Sequence, residues 1–418
     1  KVATAGEGQM PLGHGADSYL YCNQTICPEC GYKVPLAPSW IIGKGTNTVA
    51  LLEDNGHDGF DIKIVMNATE QDFKASSEKA TIRSGNMFCP HCNQETPISS
   101  LRGDRKDENK NTAYSLRRWE KREFIPREED VFQERLYAIR YVDADNGRYY
   151  TAPSEADMAR EQEVVSLLSE RFVDWQEKGF LPSAMIEAGY NTAQPIRERG
   201  WQYWHQLFNP RQLLLHGLYM KKSLELANGK VELVIAQLGI NKLNDWNSKL
   251  SLWDSYKGCE IVKNTFLNQA LNTTYNYGTR AFTQTKTCWF YNINNTETKS
   301  NKEVLTVDAR NVNINNDIWI TDPPYADAVN YHELTEFFLA WDRALIEKAF
   351  PEWYTDSKRV LAVKGTGTDF NHSMIDIYKN LTNHMPDNGY QVVMFTHQNV
   401  KVWSELSMIL WSAGLRVV

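Results

Sequence analysis

Hydrophobic and polar residues follow two different periods in the final part of this chain, from about residue 303 onward. Short β-branched stretches alternate with longer stretches whose apolar residues recur every three or four positions. The strand-like stretches are VLTVDA, DIWITD, RVLAVKG, QVVMFTH and LRVV, and the helix-like ones are YHELTEFFLAWDRALIEKAF, MIDIYKNLTNHM and VKVWSELSMILWSAG. Strands that alternate with helices are typical of a mostly parallel, doubly wound sheet. We therefore predict an α/β fold with a partial Rossmann-like sheet over residues 301–418.

Two helices are predicted in the middle of the chain. Residues 153–178 have Ser154 near their start, acidic residues in the first turns and an apolar face at helical spacing. A second helix begins at Asn209-Pro210, because asparagine is a good cap and proline suits the first helical position. It is expected to end near Gly229.

The chain before residue 301 divides by composition into three regions. Residues 1–18 are a glycine-rich, flexible lead-in. Residues 19–105 contain two Cys-x-x-Cys pairs, which flank the strand-like alternation TVALLEDNGHDGFDIKIVMNA. Residues 106–300 are predicted to be helical and loop-rich. They open with a charged stretch that has too few apolar residues for a core, and residues 244–300, rich in Asn, Thr, Trp and Tyr, favour loops and short strands.

Composition narrows the class of protein. The 418 residues suffice for two or three domains, and 42% hydrophobic with 23% charged residues is ordinary for a globular protein. The net charge of −7 gives no support for a nucleic-acid partner, so any DNA contact must come from local basic patches. No apolar run approaches the roughly 20 residues of a membrane span, and the first twenty residues lack a signal-peptide core. We expect no membrane association and a cytoplasmic location.

The cysteine pairs predict a structural zinc site. Cys27-Pro-Glu-Cys30 and Cys89-Pro-His-Cys92 each form a knuckle, and two knuckles supply the four thiolates of a closed tetrahedral shell. The alternatives are disulfides or unrelated thiols, and a cytoplasmic location disfavours disulfides. His91 is a competing ligand with poorer spacing than Cys92. Of the remaining cysteines, Cys22 is a possible substitute ligand, and Cys259 and Cys288 have no metal-like spacing.

Asp322-Pro323-Pro324-Tyr325 follows a predicted strand and precedes a predicted helix, where open α/β sheets bind ligands. The exocyclic amine of adenine is a poor nucleophile, because its lone pair is delocalised into the ring. The Asp322 carboxylate and the Pro323 carbonyl can each accept a hydrogen bond from one of its two N–H groups. Successive prolines remove competing donors, and Tyr325 offers a stacking face worth about 1–3 kcal/mol to an extruded base. These residues favour methyl transfer from S-adenosylmethionine (AdoMet). The alternative is a proline-stiffened turn, since such a match arises in roughly one or two of every hundred chains this long.

These residues carry a wider resemblance. The strings TDPPYADAVNYHELTEFF, CPECG, FCPHC, NPRQLL and NHMPDNGYQVVMFTHQ resemble the large adenine-specific DNA methylases that contain a zinc ribbon, over nearly the whole chain. The resemblance implies an AdoMet-dependent, site-specific DNA-adenine methyltransferase with a methyltransferase sheet, an inserted zinc ribbon over residues 19–105 and a catalytic α/β half over residues 301–418. It also implies a DNA partner and a place in restriction-modification or antiviral, anti-phage defence.

Further site residues follow from the resemblance. Asp322, Pro323, Pro324 and Tyr325 become the catalytic loop. Asp308 matches the position at which an acidic residue hydrogen-bonds the adenine moiety of AdoMet, with a surface carboxylate at a strand end as the alternative. The three residues that open the next helix either line the pocket or serve as cap and packing residues; they are Asn330, Tyr331 and His332.

One element of the resemblance is missing. Methylases of this kind carry a glycine-rich AdoMet loop, usually Asp-Pro-Phe-x-Gly-x-Gly, upstream of the ribbon. The nearest strings here, AGEGQMPLGHG and KGTGTDF, do not match, and a lone G-x-G is weak. Since the chain starts at Lys1 and stops at Val418 within a predicted strand, we expect an excerpt whose AdoMet loop lies upstream or on a partner chain. By itself this chain is expected to bind AdoMet poorly.

Nucleic-acid contacts are predicted at two places. A dense basic stretch around Trp119 suits phosphate contact, although interleaved acidic residues fit a solvated surface equally well. The loop-rich segment 244–300, with Arg280, has the composition of a candidate target-recognition surface. The predicted contact residues are Arg117, Arg118, Trp119, Lys121, Arg122 and Arg280, with Arg105, Lys106, Lys110 and Arg127 near the first group.

Two other functions remain open at this point. The enzyme could act on another planar amino group, cytosine N4 or an RNA base, because the same loop geometry serves any of them. Alternatively, the chain is a zinc-dependent nucleic-acid-binding subunit without turnover of its own, which the missing AdoMet loop favours.

Overall fold

The protein has a mixed α/β architecture, seen in a computed structural model that describes residues 15–145, 147–290, 303–323, 330–353, 356–357, 359, 362–363 and 367–418. The chain divides into two compact units. The first comprises Lys1–Asn294 and Ala340–Ala349, and the second comprises Asn295–Leu339 and Phe350–Val418.

The first unit contains most of the strands. They are β1 (Gly15–Ile26), β2 (Lys33–Leu36), β3 (Ile41–Gly43), β4 (Thr48–Asp54), β5 (Phe60–Val65), β6 (Ile82–Arg83), β7 (Asn86–Phe88), β8 (Glu95–Pro97), β9 (Arg105–Lys106), β10 (Thr112–Ala113), β11 (Gln133–Val142), β12 (Arg148–Thr151), β13 (Trp253–Asp254), β14 (Ile261–Val262) and β15 (Asn276–Arg280). Its helices are α1 (Glu70–Glu78), α2 (Ile98–Leu101), α3 (Glu155–Glu177), α4 (Ala193–Arg199), α5 (Pro210–Leu226), α6 (Lys230–Trp246) and α7 (Phe282–Thr285).

Strand β1 is the centre of an antiparallel sheet of order β12-β11-β1-β15, with β2 paired to the end of β1. Alternate side chains of β1 enter two different cores. Leu20 and Cys22 join the core that continues into the ribbon, whereas Tyr19 and Tyr21 join a second core on the other face. Because both faces are buried, β1 does not show the apolar–polar alternation of a half-exposed strand.

The ribbon region adds two small antiparallel sheets, β3-β4-β5 and β6-β7-β8. The predicted alternation between the cysteine pairs forms the β4–β5 hairpin. Strands from residues 19–105 and from residues 106–300 share the large sheet, so these two predicted regions belong to one compact unit. The predicted lead-in ends earlier than residue 18: β1 begins at Gly15, and the buried Asp17 pairs with Arg140 of β11.

The two predicted central helices are present. Helix α3 is capped by Ser154 and helix α5 by Asn209, each with a reciprocal capping box, and α5 has proline at its start. The sequence analysis did not predict α6. Short strands and helical turns occur in residues 244–290, as its composition suggested.

The second unit contains β16 (Ile318–Thr321), α8 (Tyr331–Leu334), the start of α9 (Glu336–Ala349), α10 (Thr368–Asn383), β17 (Tyr390–Val393) and α11 (Val400–Ser412). Strands β16 and β17 pair in parallel, in register from Ile318–Tyr390 to Thr321–Val393. Helices α10 and α11 form a core with the inner side chain of Val393. Two parallel strands with helices against one face match the predicted α/β pattern.

Two predicted strands of this unit are wrong. Residues 304–309 and 415–418 are not strands, since neither pairs with a neighbour in the part of the chain that the structure describes. Val304 and Val307 are exposed, so their β-branched character lacks the packing that would stabilise a strand. The predicted strand 359–365 lies largely outside the described residues, and that at 391–397 is shortened to β17.

Candidate functional sites

The first cysteine knuckle is the turn between β1 and β2. The amide of Cys27 donates to the carbonyl of Tyr32 (2.8 Å), and the amide of Gly31 donates back to the carbonyl of Cys27 (2.9 Å). Gly31 has a φ of +77°, a left-handed conformation that glycine adopts without steric cost. This turn brings the thiols of Cys27 and Cys30 to one side of the backbone.

The second knuckle, between β7 and β8, has the same construction. The amide of Cys89 donates to the carbonyl of Gln94 and the amide of Asn93 donates to the carbonyl of Cys89, both at 2.9 Å. Asn93 has a φ of +59°, and asparagine tolerates this conformation better than most residues. Each cysteine pair is therefore followed by a residue in the left-handed conformation that closes the turn.

The four thiols meet at one point, with all sulfur atoms within 4.8 Å of one another. The Sγ atoms of Cys27 and Cys92 lie 3.8 Å apart, and those of Cys30 and Cys89 lie 3.7 Å apart. A tetrahedral zinc ion with Zn–S bonds of about 2.3 Å has S–S edges of about 3.8 Å. A disulfide would need about 2.05 Å. The cluster therefore has the dimensions of a four-thiolate metal site and excludes the disulfide alternative.

The pKa values of the thiols shift in different directions. Burial raises the pKa of the Cys89 thiol to about 12 and also raises that of Cys27, whereas hydrogen bonds lower the pKa of Cys30 against the effect of burial. Thiols with raised pKa values stay protonated at neutral pH unless a cation stabilises the thiolate. The donor set and its burial both suit a bound metal cation.

His91 is held away from the thiols. Its Nδ1 lies 2.9 Å from Oδ2 of Asp54, and its ring stacks on Tyr32 with the centroids 3.5 Å apart. His91 therefore contacts Asp54 and Tyr32 beside the second knuckle and is not a ligand of the cysteine cluster. The cysteines outside this four-cysteine cluster are Cys22, Cys259 and Cys288.

Asp322 and Pro323 follow directly after β16, at the carboxyl end of a strand in a parallel pair. Asp322 is exposed and Pro323 is buried. The hydroxyl groups of Thr321 and Tyr378 lie 3.1 Å apart, which fixes the end of β16 to the buried face of α10. Pro324 and Tyr325 lie outside the described residues.

One face of the β16–β17 pair is apolar and exposed. Ile318 and Ile320 lie on it opposite Tyr390 and Val392, and Ile320 is 66% exposed. Parallel sheets normally have both faces covered. The other face packs on α10 and α11.

Asp308 has a local role. It caps a short 3-10 helix, accepting a hydrogen bond from the amide of Arg310, and its carboxylate pairs with the Arg310 guanidinium at 2.6 Å. That hydrogen-bonded partner lowers the pKa of Asp308. Its carboxylate is thus already occupied within the chain. The predicted strand that would have carried it to a ligand is absent.

The residues that open α8 behave in part as a cap. Asn330 precedes the helix, and its carbonyl accepts from the amide of Glu333 at 2.9 Å. Tyr331 is exposed, so packing does not explain it. A pocket-lining role for Tyr331 and His332 stays a prediction.

The basic stretch is engaged within the first unit. Arg117 pairs with Glu123 (2.7 Å) and with Asp130 (2.6 Å). Arg118 donates to a backbone carbonyl of α4, and Trp119 is buried. These three side chains stabilise the fold here, with little surface left for phosphate.

Arg280 is also buried. Its guanidinium donates to the carbonyl of Trp246 (3.1 Å) and to Oε1 of Gln284 (2.9 Å), and burial lowers its pKa to about 10. Lys121 and Arg122 are exposed. Of the six residues predicted to contact nucleic acid, these two retain a surface position.

Comparison with protein-family models, with curated proteins and with solved structures found no match. Among the described residues, no helix combines the length and apolar character that crossing a bilayer requires.

A buried polar network escaped the sequence analysis. Asn209, predicted only as a helix cap, also donates from Nδ2 to Oγ1 of Thr279 (2.9 Å), and Gln212 donates to the same oxygen (3.1 Å). Gln212 continues to Asn247, whose amide lies 3.3 Å from Nε2 of His216. The string NPRQ was the available signal, since a cap followed three residues later by glutamine marks a capping box but not its tertiary partners.

Proposed function

We propose that this chain is the catalytic half, with an inserted zinc ribbon, of an AdoMet-dependent methyltransferase that modifies the N6 amino group of adenine in DNA. The observation that carries the proposal is the position of Asp322, exposed at the carboxyl end of a parallel strand in an α/β unit and followed by the buried Pro323. Ligands of open α/β sheets bind at that edge. The resemblance to zinc-ribbon adenine methylases supplies the acceptor and a setting in restriction-modification or anti-phage defence.

In this proposal the chain acts on the amine, not on the methyl donor. The Asp322 carboxylate and the Pro323 carbonyl each accept a hydrogen bond from one N–H group of the adenine amine. These two hydrogen bonds localise the lone pair of the nitrogen. The Thr321–Tyr378 contact holds the strand end that presents Asp322. Catalysis is then mainly orientation and exclusion of water. Stacking on Tyr325 is part of the prediction from sequence.

The described residues do not suit AdoMet. Asp308 is paired with Arg310, and the sequence lacks a matching glycine-rich loop. The donor would be held by upstream sequence or a partner chain, and the exposed apolar face of Ile318, Ile320, Tyr390 and Val392 supports that arrangement, since further parallel strands and helices would cover it.

The same observations favour a second candidate function, a zinc-dependent nucleic-acid-binding subunit without turnover. Its support is the engaged Asp308 and the missing loop. Methylation of cytosine N4 or of an RNA base is a third outcome, because the amine-holding geometry does not depend on the ring.

The experiment supplies labelled AdoMet and DNA to the complete protein, with any polypeptide that co-purifies, and identifies the labelled nucleoside after digestion. We expect label in N6-methyladenine, and a loss of roughly 100- to 1,000-fold in Asp322→Ala. Asp317→Ala is the matched control, because Asp317 is an exposed carboxylate at the other end of β16. Undiminished transfer in Asp322→Ala would exclude the catalytic role. Label in cytosine would change the acceptor, and no label would favour the binding subunit.

We also propose that Cys27, Cys30, Cys89 and Cys92 hold one structural zinc ion. Four thiolates close its shell and leave no position for substrate. We expect about one zinc per chain by metal analysis, loss of that zinc in Cys89→Ser, and full retention in Cys259→Ser, whose thiol lies outside the cluster. A zinc-free wild-type protein that keeps its fold would contradict the site.

A further inference from the structure

A groove of about 730 Å³ runs beside the zinc knuckles. Its walls are the end of β1 with the first knuckle, the β8–α2 segment, and residues 128–133 before β11. All three belong to the first unit. This volume is in the range of sites that hold a ligand of several side chains or rings. We name it the acidic groove, because four glutamates line it: Glu29, Glu95, Glu128 and Glu129.

The apolar lining of the acidic groove is unusually accessible. Ile26 is 60% exposed, and Pro28, Leu101 and Val131 line the same groove. Ile26 follows directly on the buried residues of β1, yet its own apolar side chain faces water. Grouped apolar side chains at a surface, rimmed by polar ones, mark contact sites.

The rim is negative. Glu29, Glu95, Glu128 and Glu129 line the groove, and within the described ranges the first three have no basic side chain at ion-pair distance. Glu129 lies 4.0 Å from Arg127, the limit of an ion pair. The positive lining residue, Lys33, is already neutralised by a pair with Asp58.

That pair joins Nζ of Lys33 to Oδ2 of Asp58 at 2.7 Å. The remaining acidic lining residue, Asp130, pairs with Arg117. The uncompensated charge therefore belongs chiefly to Glu29, Glu95 and Glu128. The negative rim would repel the phosphates of a nucleic acid, so nucleic acid is not the expected occupant of the acidic groove.

A short outer strand borders the groove. Strand β8 is the outer strand of β6-β7-β8, and its residues Glu95–Pro97 line the groove. Because β8 has three residues and Pro97 lacks an N–H, an extended segment lying along it would be held mainly by side-chain contacts. An alternating segment would place apolar side chains toward Ile26 and charged ones toward the rim.

We propose that the acidic groove docks an extended, basic segment of a partner protein, with lysine or arginine side chains against the rim glutamates and an apolar side chain against Ile26 and Leu101. Charge complementarity selects this occupant. The unpaired carboxylates call for cations, and the apolar floor calls for side chains that a polyamine or a metal ion lacks. The inference is independent of the methyltransferase proposal, because it uses no residue of the second unit.

The test uses a fluorescein-labelled octapeptide of alternating lysine and valine, with its binding to the zinc-loaded chain followed by anisotropy. We expect the triple variant Glu29→Gln, Glu95→Gln, Glu128→Gln to weaken binding at least roughly tenfold, and higher salt to weaken it further. The matched control is Glu163→Gln, Glu170→Gln, Glu177→Gln on α3, which removes equal charge from an exposed surface elsewhere. Equal loss in both triple variants would overturn the proposal, since binding would then follow net charge alone.

A second variant tests the apolar half. Ile26→Ser changes an exposed side chain and is expected to leave the fold and zinc content intact, yet to weaken the lysine–valine peptide about five- to tenfold. A lysine–serine peptide should bind weakly to wild type and be indifferent to Ile26→Ser. If Ile26→Ser leaves lysine–valine affinity unchanged, docking in the groove is excluded. A dimer of the chain that dissociates in the groove variants would assign the surface to a second copy and overturn the partner-protein proposal.

Discussion

Asp342 is a carboxyl group whose surroundings do not suit its charge. It lies in α9 within the first unit and is 4% exposed. Nε2 of Gln237 donates to its Oδ2 at 3.3 Å, while Oδ1 has no hydrogen-bond partner among the described residues. Burial raises its pKa to about 7. An uncompensated carboxylate here destabilises the fold whenever it is ionised.

The sign of the pH dependence follows from proton binding. Between the unfolded pKa near 4 and the folded pKa near 7, the folded state binds more protons than the unfolded state, so stability falls as pH rises through this window. We expect Asp342→Asn to be more stable than wild type by up to about 4 kcal/mol above pH 7, by about 1–2 kcal/mol at pH 5, and nearly equal to it below about pH 4. Denaturant unfolding at several pH values measures the difference.

Two buried histidines titrate with the opposite sign. Burial lowers the pKa of His205 to about 4 and that of His216 to about 3, so their contribution is lost as pH falls below about 6.5. Both histidines are present in wild type and in Asp342→Asn, so their contributions cancel in the difference between the two free energies of unfolding. Asp61→Asn, at an exposed position of β5, is the control. A pH-independent difference between Asp342→Asn and wild type would contradict the assignment.

At the scale of elements, α3 and α5 pack closely because α5 carries a glycine at their contact. A Cβ on Gly217 would meet the ring of Trp175 at 2.4 Å, and Trp175 is buried in α3. Elsewhere in a helix, alanine is preferred to glycine by about 1 kcal/mol. The Trp175 ring is buried and also packs edge-on against Phe180, so it has little room to move and contact geometry outweighs helix propensity.

We expect Gly217→Ala to destabilise the protein by about 1–3 kcal/mol, against its higher helix propensity. Thermal unfolding compares it with Gly229→Ala, since a Cβ on Gly229 meets nothing within 4 Å. The double variant Gly217→Ala, Trp175→Phe should recover part of the loss, because the smaller ring makes room. A stabilised Gly217→Ala would show that the helices can separate at little cost.

Local chemistry decided which elements could be predicted from the sequence. Helices α3 and α5 have capping boxes, and the β4–β5 hairpin has clean alternation. Strand β1 could not be predicted, because it carries the polar Asp17 within a buried strand. The charge of Asp17 is neutralised by Arg140, a residue more than a hundred positions away. Helix α6 lacks a side-chain cap, although its apolar residues recur at helical spacing. The predicted strand at 304–309 had suitable composition but no partner strand.

The sites divide in the same way. The four clustered cysteines lie in two short turns with Cys-x-x-Cys spacing, so all four could be identified from the sequence. Contacts of Arg117 and Arg280 depend on carboxylates and carbonyls brought from other elements, and composition alone could not distinguish a buried guanidinium from a DNA-binding one.

For the molecule as a whole, the two proposed sites lie in different units: the cysteine cluster in the first and Asp322 in the second. A metal bound only by the folded state stabilises the elements that its ligands connect. Cys27 and Cys89 begin turns that join β1 to β2 and β7 to β8, and their core includes Leu36 and Met87. The second unit has its own core around Met374 and Ile409.

We therefore expect chelation of zinc to raise amide exchange in β2, β7 and β8 by at least about tenfold, with little change in α10 and α11. Hydrogen–deuterium exchange with and without chelator measures both at once. The variant Cys89→Ser should exchange like the chelated wild type and show no further response to chelator, which separates metal loss from side effects of the reagent. If α10 and α11 lose protection together with β2, the chain unfolds as one cooperative body, and the ribbon stabilises the unit that carries Asp322 as well as its own.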